Sequence, residues 1–491
     1  MKKRKVCQPG KRLPLPPEKP SHIEQYFAFA IAIIDHESFR GILDRFDTAL
    51  RDHPGQKAQI RLRAYLVSLL INAMNERAGT DRAIHKTLTQ LPRHLHRDLG
   101  LLDGYDTLPS YSQLNHFVRR FSKVLEGGAT GLTRHDPAVR IINRFLHTSI
   151  CSLDLEDHLA LDWTYIETWA RTHYDPDTKK FWSKDSDARM GRMPPKNGGK
   201  EKLTNVWYPQ LAMAKESCTG GKLYIAAMGL AAGNENLPNS IKQVLDGAVA
   251  YDDPGAAFRF TTAAVDLGYN QKKIENWAEL PYSRGIGWVG HLRQEGAKHR
   301  INRRAPHASG LLTIDGDHFC PHVPETLVEL PGHSKGPSKT EPPADLAARY
   351  DERAKYMATP RSRLSDKDRF ECPARRGTVR CPGYQPSMSG ALHKPTIEAP
   401  DPEAQCCTQR TVTIDHADTL RDHQAVPYGT TQWLKLYGQR SRAESGNSLL
   451  LGGKTDTKRS YHQAFGLSRA TLAIGAACVA INLTRRFNYD P

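Results

Sequence analysis

The chain has 491 residues, and its 69 Lys and Arg residues outnumber its 53 Asp and Glu residues, which gives a formal net charge of +16. This length supports several domains and a large core. The excess of positive charge indicates a polyanionic partner, nucleic acid first, although a generally basic soluble protein has the same composition. Nine scattered Cys residues argue for a reducing compartment and against a disulfide framework.

The first 22 residues are basic and rich in Pro, which predicts a disordered tail. Its run Lys2–Lys5 fits a contact with DNA phosphates, and in a eukaryote it could act as a nuclear signal. No signal peptide is predicted, and the apolar runs 26–34 and 470–483 are too short to cross a bilayer. We therefore expect a cytoplasmic protein without a membrane partner.

Residues 23–150 read as mostly helical. Thr80 is a candidate N-cap, and the run 110–113 has the pattern of a capping box. Short helices with Arg119 and Arg120 exposed near one end are typical of a helix-turn-helix-like DNA-binding domain. A plain helical cap on the next domain explains the pattern equally well.

Residues 151–292 alternate apolar runs with turns, which predicts the first part of a mixed α/β domain. Asp162 and Asp266 each follow an apolar run, so both carboxylates are expected at the ends of strands. A helix is predicted over 271–280. The run 183–200 has no apolar periodicity and predicts a mobile loop, whose basic residues either follow a DNA backbone or are simply solvated.

Polar and ionisable side chains recur every three or four residues within 431–448, which predicts one stripe on one helix. The members of the stripe are Trp433, Tyr437, Arg440, Glu444 and Asn447. A solvated face carrying an Arg–Glu pair has the same spacing. With the apolar segment that follows, residues 431–491 are predicted to supply the last helices of the domain that begins at residue 151.

Two strand-end Asp residues and a Glu on a distal helix can converge on one divalent cation site, because hard cations such as Mg²⁺ prefer carboxylate oxygens. The predicted ligands are Asp162, Asp266 and Glu444. Other carboxylates near apolar runs are rival ligands, and Glu167 is a candidate supporting carboxylate. The rivals are Asp154, Asp157, Asp315 and Asp317.

The interval between Asp266 and Glu444 is far longer than a domain of this kind needs, which predicts an inserted subdomain over 293–430. It begins with a basic run whose Arg side chains could contact phosphates without reading sequence. These are Arg300, Arg303 and Arg304.

The insertion also carries a group of Cys residues that could hold a structural zinc ion. The predicted ligands are Cys372, Cys381, Cys406 and Cys407, and Cys320, flanked by His318 and His322, could contribute. Unpaired thiols acting as small hydrophobic side chains are the alternative.

After the distal helix, the basic turn around Lys454 could hold a phosphate. It resembles the end of a nucleotide-binding loop only superficially, because the first Gly and the preceding strand are missing. No nucleoside triphosphate is therefore expected as a partner.

The spacing of Tyr437, Arg440 and Glu444 resembles the Y-R-E-K signature of DDE transposases of insertion-sequence family four. Asp162 and Asp266 match the family's first and second acidic positions. The signature's Lys would fall at Leu451, and Lys454 is the nearest basic residue.

The resemblance implies a ribonuclease-H-like mixed sheet with flanking helices, an all-α N-terminal domain and a β-rich insertion before the Glu-bearing helix. It implies two Mg²⁺ ions, for which Mn²⁺ could substitute, and a prokaryotic, nucleoid-associated protein. The partners would be double-stranded DNA, as terminal inverted repeats and as target, and a second copy of the chain on that DNA.

The resemblance also implies roles for single residues. Asp162, Asp266 and Glu444 would hold the metal ions for strand cleavage and strand transfer. Arg440 would clamp a phosphate, and Tyr437 would hydrogen-bond the same backbone. Trp163 and Trp433 could stack on a displaced base, with core packing as the alternative. A catalytically inactive DNA-binding relative and a purely hydrolytic metal-dependent nuclease are alternative functions.

Overall fold

The structure, a computed structural model, describes most of the chain. Its described residues are 22–52, 60–76, 79–101, 107–126, 136–193, 202–233, 237–249, 260–292, 294–295, 299–300, 308–331, 343–364, 366–416, 420, 422–452, 457 and 463–487. The chain divides into a first unit, Met1–Phe260 with Ser441–Pro491, and a second unit, Thr261–Arg440. Helices occur together with antiparallel and parallel strand pairs, so the predicted mixed α/β class is confirmed. Apart from residue 22, the predicted basic tail lies outside the described residues.

A run of helices begins the first unit. They are α1 (His22–Ile34), α2 (Glu37–Asp52), α3 (Leu62–Met74), α4 (Asp81–Gln90), α5 (Arg93–Asp98), α6 (Tyr111–Glu126) and α7 (Asp136–Ile150). Two begin where the sequence predicts. Thr80 Oγ1 accepts a hydrogen bond from Ala83 N at 3.1 Å before α4. Before α6, Ser110 N donates to Gln113 Oε1 at 2.6 Å and Gln113 N donates to Ser110 Oγ at 3.3 Å, which is the predicted capping box.

The expected exposure of Arg119 and Arg120 holds only for Arg119. Arg120 is buried, and its Nη2 donates to Leu50 O at 2.6 Å. Side chains from the helices share one hydrophobic core with strands of the same unit. This shared core is what a helical cap would have, and the DNA-binding role of the helices stays a prediction.

The strands of the first unit surround one long central strand. They are β1 (His158–Trp163), β2 (Ile166–Glu167), β3 (Thr172–Asp175), β4 (Lys180–Ser183), β5 (Arg189–Met193), β6 (Lys202–Lys215) and β7 (Leu223–Ala232). β6 pairs antiparallel with β1, β2, β5 and β7, while β3 and β4 form a separate hairpin. Residues from Asn205 to Ala214 in β6 are buried without a break, which is typical of a strand covered on both faces.

Helices α8 (Leu237–Val249), α16 (Ser441–Gly452) and α17 (Leu467–Phe487) complete the first unit. α17 packs on β7, and its buried Asn482 is satisfied by that strand: Ile225 N donates to Asn482 Oδ1 at 2.8 Å, and Asn482 Nδ2 donates to Ile225 O at 2.9 Å. Of the described helices, α17 alone has the length and hydropathy to cross a membrane, and 89% of that window is buried within the protein. Burial of this kind is typical of a core helix.

The run 183–200 was predicted to be a mobile loop, and for its described part this is wrong. Residues 189–193 form β5, while Lys196 and Lys200 lie outside the described residues. Asp185 Oδ2 accepts from Gly466 N at 3.0 Å, and Asp187 Oδ2 accepts from Leu467 N at 2.9 Å. Both carboxylates are buried and satisfy donors at the beginning of α17, where a helix has amide groups without internal partners.

The second unit begins with β8 (Thr262–Val265) and β9 (Gly287–Val289), which pair in parallel. Between them lie α9 (Leu267–Asn270), a 3₁₀ turn (Ile274–Asn276) and α10 (Glu279–Tyr282). The prediction of one helix over 271–280 is therefore wrong. Trp277 interrupts it with a φ of −142° and packs its buried ring against Tyr269, with the ring centroids 4.9 Å apart.

The remainder of the second unit consists of short strands and helices. They are β10 (Gln294–Glu295), β11 (His299–Arg300), β12 (Leu312–Ile314), β13 (Asp317–Phe319), α11 (Glu325–Val328), α12 (Pro343–Ala354), β14 (Thr359–Arg363), β15 (Lys367–Glu371), α13 (Pro373–Arg376), a 3₁₀ segment (Gln385–Ser389), α14 (Gln405–Thr408), β16 (Thr411–Asp415), α15 (Thr431–Tyr437) and a 3₁₀ turn (Gly438–Arg440). β14, β15 and β16 form an antiparallel sheet, and β12 pairs with β13 as a hairpin.

The single helix predicted over 431–448 is divided into three segments. α15 ends at Tyr437, a 3₁₀ turn covers Gly438–Arg440, and α16 begins at Ser441. Gly has a low helix propensity, and here it lies where the α-helical geometry changes. Trp433, Tyr437 and Arg440 consequently belong to the second unit, and the remaining members of the predicted stripe to the first.

Candidate active site

Asp162 lies near the end of β1, as predicted, after the buried residues Leu159, Ala160 and Leu161. Its Oδ1 accepts from Trp163 N at 2.8 Å, and its Oδ2 accepts from Asn447 Nδ2 at 3.0 Å. The carboxylate is therefore held from the strand on one side and from α16 on the other.

The second contact depends on how closely α16 approaches β6. A Cβ added to Gly446 would lie 2.3 Å from Met213 Sδ, so any larger residue at this point of the helix would require the buried Met213 side chain to move. Arg442 Nη2 forms an ion pair with Glu156 Oε2 at 2.7 Å. Leu450, further along the helix, is buried in the core. These contacts fix the rotation of α16, and Asn447 faces β1 as a result.

Glu444 lies one turn before Asn447 on α16. Side chains three residues apart lie on the same face of a helix, and Glu444 is exposed whereas Asn447 is half-buried. The first unit therefore combines one predicted carboxylate on β1 with a second on the helix packed against that strand.

Asp266 lies directly after β8, as predicted, at the N-cap position of α9, where its side chain makes no capping hydrogen bond. Arg440 Nη1 lies 4.0 Å from Asp266 Oδ1, at the outer limit of an ion pair. The second unit therefore places one predicted carboxylate beside the predicted phosphate clamp. Because Arg is always charged and presents a planar fork, it is suited to phosphate oxygens.

A buried aromatic group holds Tyr437 in place. The ring of Trp433 stacks on that of Tyr437, with centroids 4.7 Å apart and an interplanar angle of 13°. Trp433 Nε1 donates to Gln424 Oε1 at 2.7 Å, and Gln424 Nε2 donates to Gly290 O at 2.9 Å. Trp433 is fully buried, so the core-packing alternative is correct for this residue.

The imidazole of His291 is edge-on to Tyr437, with ring centroids 4.6 Å apart. His291 follows β9, and Asn270 Nδ2 donates to its carbonyl at 3.3 Å. The residues that follow the two parallel strands therefore meet α15 on one side of the second unit.

The other predicted DNA contacts are only partly described. Trp163 is half-buried at the end of β1. Arg300 lies in β11, but its side chain is not described. Arg303, Arg304 and Lys454 lie outside the described residues.

The rival carboxylates have partners within their own units. Asp315 pairs with Arg353 at 2.7 Å, and Asp317 pairs with His423 at 2.8 Å. Glu167 forms an ion pair with Lys202, and its role as a supporting carboxylate stays a prediction. Two further pairs complete the set: Ser217 Oγ donates to Asp154 Oδ1 at 3.3 Å, and His158 Nε2 lies 3.3 Å from Asp157 Oδ1.

Among the residues described, no group of three or more His, Cys, Asp or Glu side chains stands in an arrangement that could already hold a metal ion. The donors suited to Mg²⁺ are carboxylate and amide oxygens. One of them is Asn447 Oδ1, which is buried and has no hydrogen-bond partner in the described structure. Asp162 and Asn447 thus fit a hard cation by chemistry.

No family model matches this chain, and no curated protein matches its sequence.

The structure adds features that the sequence reasoning missed. One is the hydrogen bond from Asn447 to Asp162, which no local pattern indicates. Another is the β3–β4 hairpin, which exposes Tyr174, Phe181 and Trp182 by 55%, 49% and 48%. Aromatic residues on both sides of a polar turn could have indicated this hairpin.

Proposed function

We propose that the chain is a metal-dependent DNA transposase that cleaves strands at element ends and transfers them into target DNA. The observation that carries the proposal is the placement of Asp162 at the end of β1, hydrogen-bonded to the helix that bears Glu444. Asp266 at the end of β8, beside Arg440, is the matching observation in the second unit. The net charge of +16 fits a DNA partner.

The proposal includes a ribonuclease-H-like arrangement. A long antiparallel region around β6 with β1 at its side, followed along the chain by a parallel pair, is compatible with that fold. Carboxylates at strand ends suit phosphoryl chemistry, since side chains there emerge from rigid elements.

In the proposed reaction, Asp162, Asp266 and Glu444 would hold Mg²⁺, which when bound supplies charge stabilisation for phosphoryl transfer and activates an attacking hydroxyl. Asn447 would keep the Asp162 carboxylate oriented through its amide. Arg440 would bind a phosphate oxygen of the DNA, and Tyr437, fixed by its stacking on Trp433, would present its hydroxyl to the same backbone.

The first experiment uses the DNA that flanks the coding sequence on both sides, incubated with the full chain and Mg²⁺. We expect cleavage at fixed positions and joining of the freed ends to a second DNA. Cleavage without joining would favour the hydrolytic nuclease, and binding without cleavage would favour the inactive relative.

The second experiment replaces each carboxylate by its isosteric amide. Asp162→Asn, Asp266→Asn and Glu444→Gln should each lower cleavage by at least about 10³-fold, a size expected when a metal ligand or transition-state charge is lost. DNA binding measured by gel shift should persist. Asp177→Asn in the first unit and Glu275→Gln in the second replace exposed carboxylates and serve as matched controls. Wild-type cleavage by any of the three test variants would remove that residue from the site.

A further inference from the structure

Three Cys residues of the second unit begin turns of the same kind. Each is followed by Pro, in the runs C320-P-H-V, C372-P-A-R and C381-P-G-Y. In each turn the Cys carbonyl accepts from the backbone N–H of the residue three positions later. The pairs are Val323 N to Cys320 O at 3.1 Å, Arg375 N to Cys372 O at 3.0 Å and Tyr384 N to Cys381 O at 2.9 Å. Pro at the second position fixes the φ angle that such a turn requires.

The side chains of these turns lie in one region. Cys320, Cys372 and Cys381 pack in the same hydrophobic cluster. Cys372 also lines one cavity together with Cys406, which precedes Cys407 in α14. Residues distant in sequence therefore bring three thiols into one cluster, and the cavity links this cluster to the neighbouring thiols of α14.

The pKa of Cys320 reports the same proximity. Burial is the main cause that raises this pKa to about 12, and the neighbouring thiols of Cys372, Cys407 and Cys381 contribute smaller increases. Like charges disfavour each other when they are close, so the four sulfur atoms would repel as thiolates. A cation bound among the sulfur atoms would attract the thiolates and so offset their mutual repulsion.

Backbone amides also point at the sulfur atoms, as they do around metal-bound thiolates. The donors are His322 N to Cys320, and Ala374 N and Arg375 N to Cys372. Arg410 lines the cavity that Cys372 and Cys406 share. These donors and this cation would partly offset the negative charge of a thiolate group.

Each flanking imidazole has one ring nitrogen in contact with a group outside the set of Cys residues. His322 Nε2 accepts from Asp401 N at 3.1 Å, and His318 Nδ1 lies 3.2 Å from Thr313 Oγ1. The five Cys residues of the region are all free thiols. A donor set made of sulfur alone selects soft or borderline metals, and Zn²⁺ is the usual one for four thiolates.

We propose that this unit binds one structural zinc ion through Cys320, Cys372, Cys381 and Cys407. Four thiols release four protons to solvent as the ion binds, which leaves a tetrathiolate site with a net charge of −2. The described side chains do not already close around one point, so binding would draw the sulfur atoms together by rotation about their Cα–Cβ bonds.

This set differs from the four Cys residues predicted from the sequence, because Cys320 replaces Cys406. Cys406 and Cys407 both pack in a separate apolar cluster, but Cys406 is buried there and its sulfur would lie 3.2 Å from a Cβ placed on Gly310, whereas Cys407 is half-buried. The neighbouring Cys406 thiol lowers the pKa of Cys407, which favours Cys407 as the thiolate of the adjacent pair. The ion would join the end of β13, the end of β15 and α14.

The test is the metal content of the full chain, purified under reducing conditions without chelator. We expect about one zinc ion per chain by mass spectrometry. Single replacements by Ser at Cys320, Cys372, Cys381 and Cys407 should each reduce the zinc content at least twofold. Cys406→Ser should retain zinc, and Cys151→Ser in the first unit is the matched control.

A variant that fails to fold would also lose its metal, so the wild-type chain is tested by cobalt exchange. Co²⁺ in a tetrathiolate site should give strong visible bands and a near-ultraviolet sulfur-to-metal charge-transfer band. A wild-type chain that holds neither zinc nor cobalt would overturn the proposal. So would zinc retention in all four Ser variants, or iron with acid-labile sulfide in place of zinc. None of these readouts depends on DNA cleavage, so the zinc proposal and the proposed function fail independently.

Discussion

The side-chain amide of Asn447 donates a hydrogen bond to Asp162 Oδ2 across 3.0 Å, although 285 positions separate the two residues. Asp162 lies one residue before the end of β1, and Asn447 lies on the helix that also carries Glu444. The Asn447 amide therefore helps to orient a carboxylate that we propose as a metal ligand, together with Trp163 N on its other oxygen.

Asn447→Ala should weaken catalysis without affecting DNA binding. Loss of a group that orients a metal ligand lowers metal affinity or activity by about 10- to 100-fold. We expect this loss in the cleavage rate at limiting Mg²⁺, with partial recovery at high Mg²⁺. The measurement is a Mg²⁺ titration of cleavage beside a gel shift. Ser448→Ala replaces the exposed next residue of α16 and should match wild type. An unchanged titration curve for Asn447→Ala would argue against the orienting role.

Gly446→Ala should destabilise the chain because the added Cβ would lie 2.3 Å from Met213 Sδ. Overpacking of this kind costs about 1–3 kcal/mol. Urea unfolding followed by circular dichroism gives the free energy of unfolding. Gly452→Ala on the same helix meets no described atom within 4 Å, so it should change that free energy by less than about 1 kcal/mol. If the two variants were equally stable, the close approach of α16 to β6 would be in doubt.

The sequence predicted correctly those features that depend only on residues close together in the chain. The caps at Thr80 and at Ser110 with Gln113 involve groups three residues apart, and both are present. Asp162 and Asp266 were placed at strand ends because an apolar run precedes each. These features need no knowledge of the tertiary fold.

Features that depend on contacts between residues distant in sequence could not be predicted in this way. Asp187 accepts from Leu467 N, 280 positions later, so a stretch without apolar periodicity is fixed in place. Packing of Trp277 against Tyr269 interrupts a helix that local propensity favoured. In the same way, no residue near Gly446 in the sequence indicates that this position packs closely against β6.

Removing one partner of the buried pair Arg353–Asp315 should strongly destabilise the second unit. The two side chains are exposed by only 2% and 1%, and Arg353 Nη2 donates to Asp315 Oδ2 at 2.7 Å. Asp315→Ala leaves a buried guanidinium without its counter-ion, which costs about 3–5 kcal/mol.

Thermal unfolding measures this loss, and the exposed pair Lys355–Glu352 provides the control. Lys355→Ala should cost at most about 1 kcal/mol, because an exposed ion pair is screened by solvent. Similar melting temperatures for Asp315→Ala and Lys355→Ala would contradict the structural role assigned to the buried pair.

The contribution of Asp185 to the free energy of unfolding should fall as pH rises through the acidic range. Burial raises the pKa of its carboxyl above the ordinary value, although amide hydrogen bonds from Gly466 and Asp187 oppose the shift. Between the unfolded and folded pKa values, the folded chain binds more protons at this site than the unfolded chain. The derivative of the unfolding free energy with pH is then negative for this group. Its contribution is largest below the unfolded pKa, near 3.9, and is lost as pH rises through the folded value.

The measurement is the difference in unfolding free energy between wild type and Asp185→Asn in urea, from pH 3.5 to pH 7, roughly spanning the range in which carboxyl groups titrate. We expect this difference to fall with rising pH. Asp175 gives the opposite control, because hydrogen bonds from Thr178 and Asp177 lower its pKa at the surface, so its contribution is lost as pH falls. If the Asp185 difference rose with pH as the Asp175 difference should, the amide hydrogen bonds at the beginning of α17 would outweigh the burial of the carboxylate.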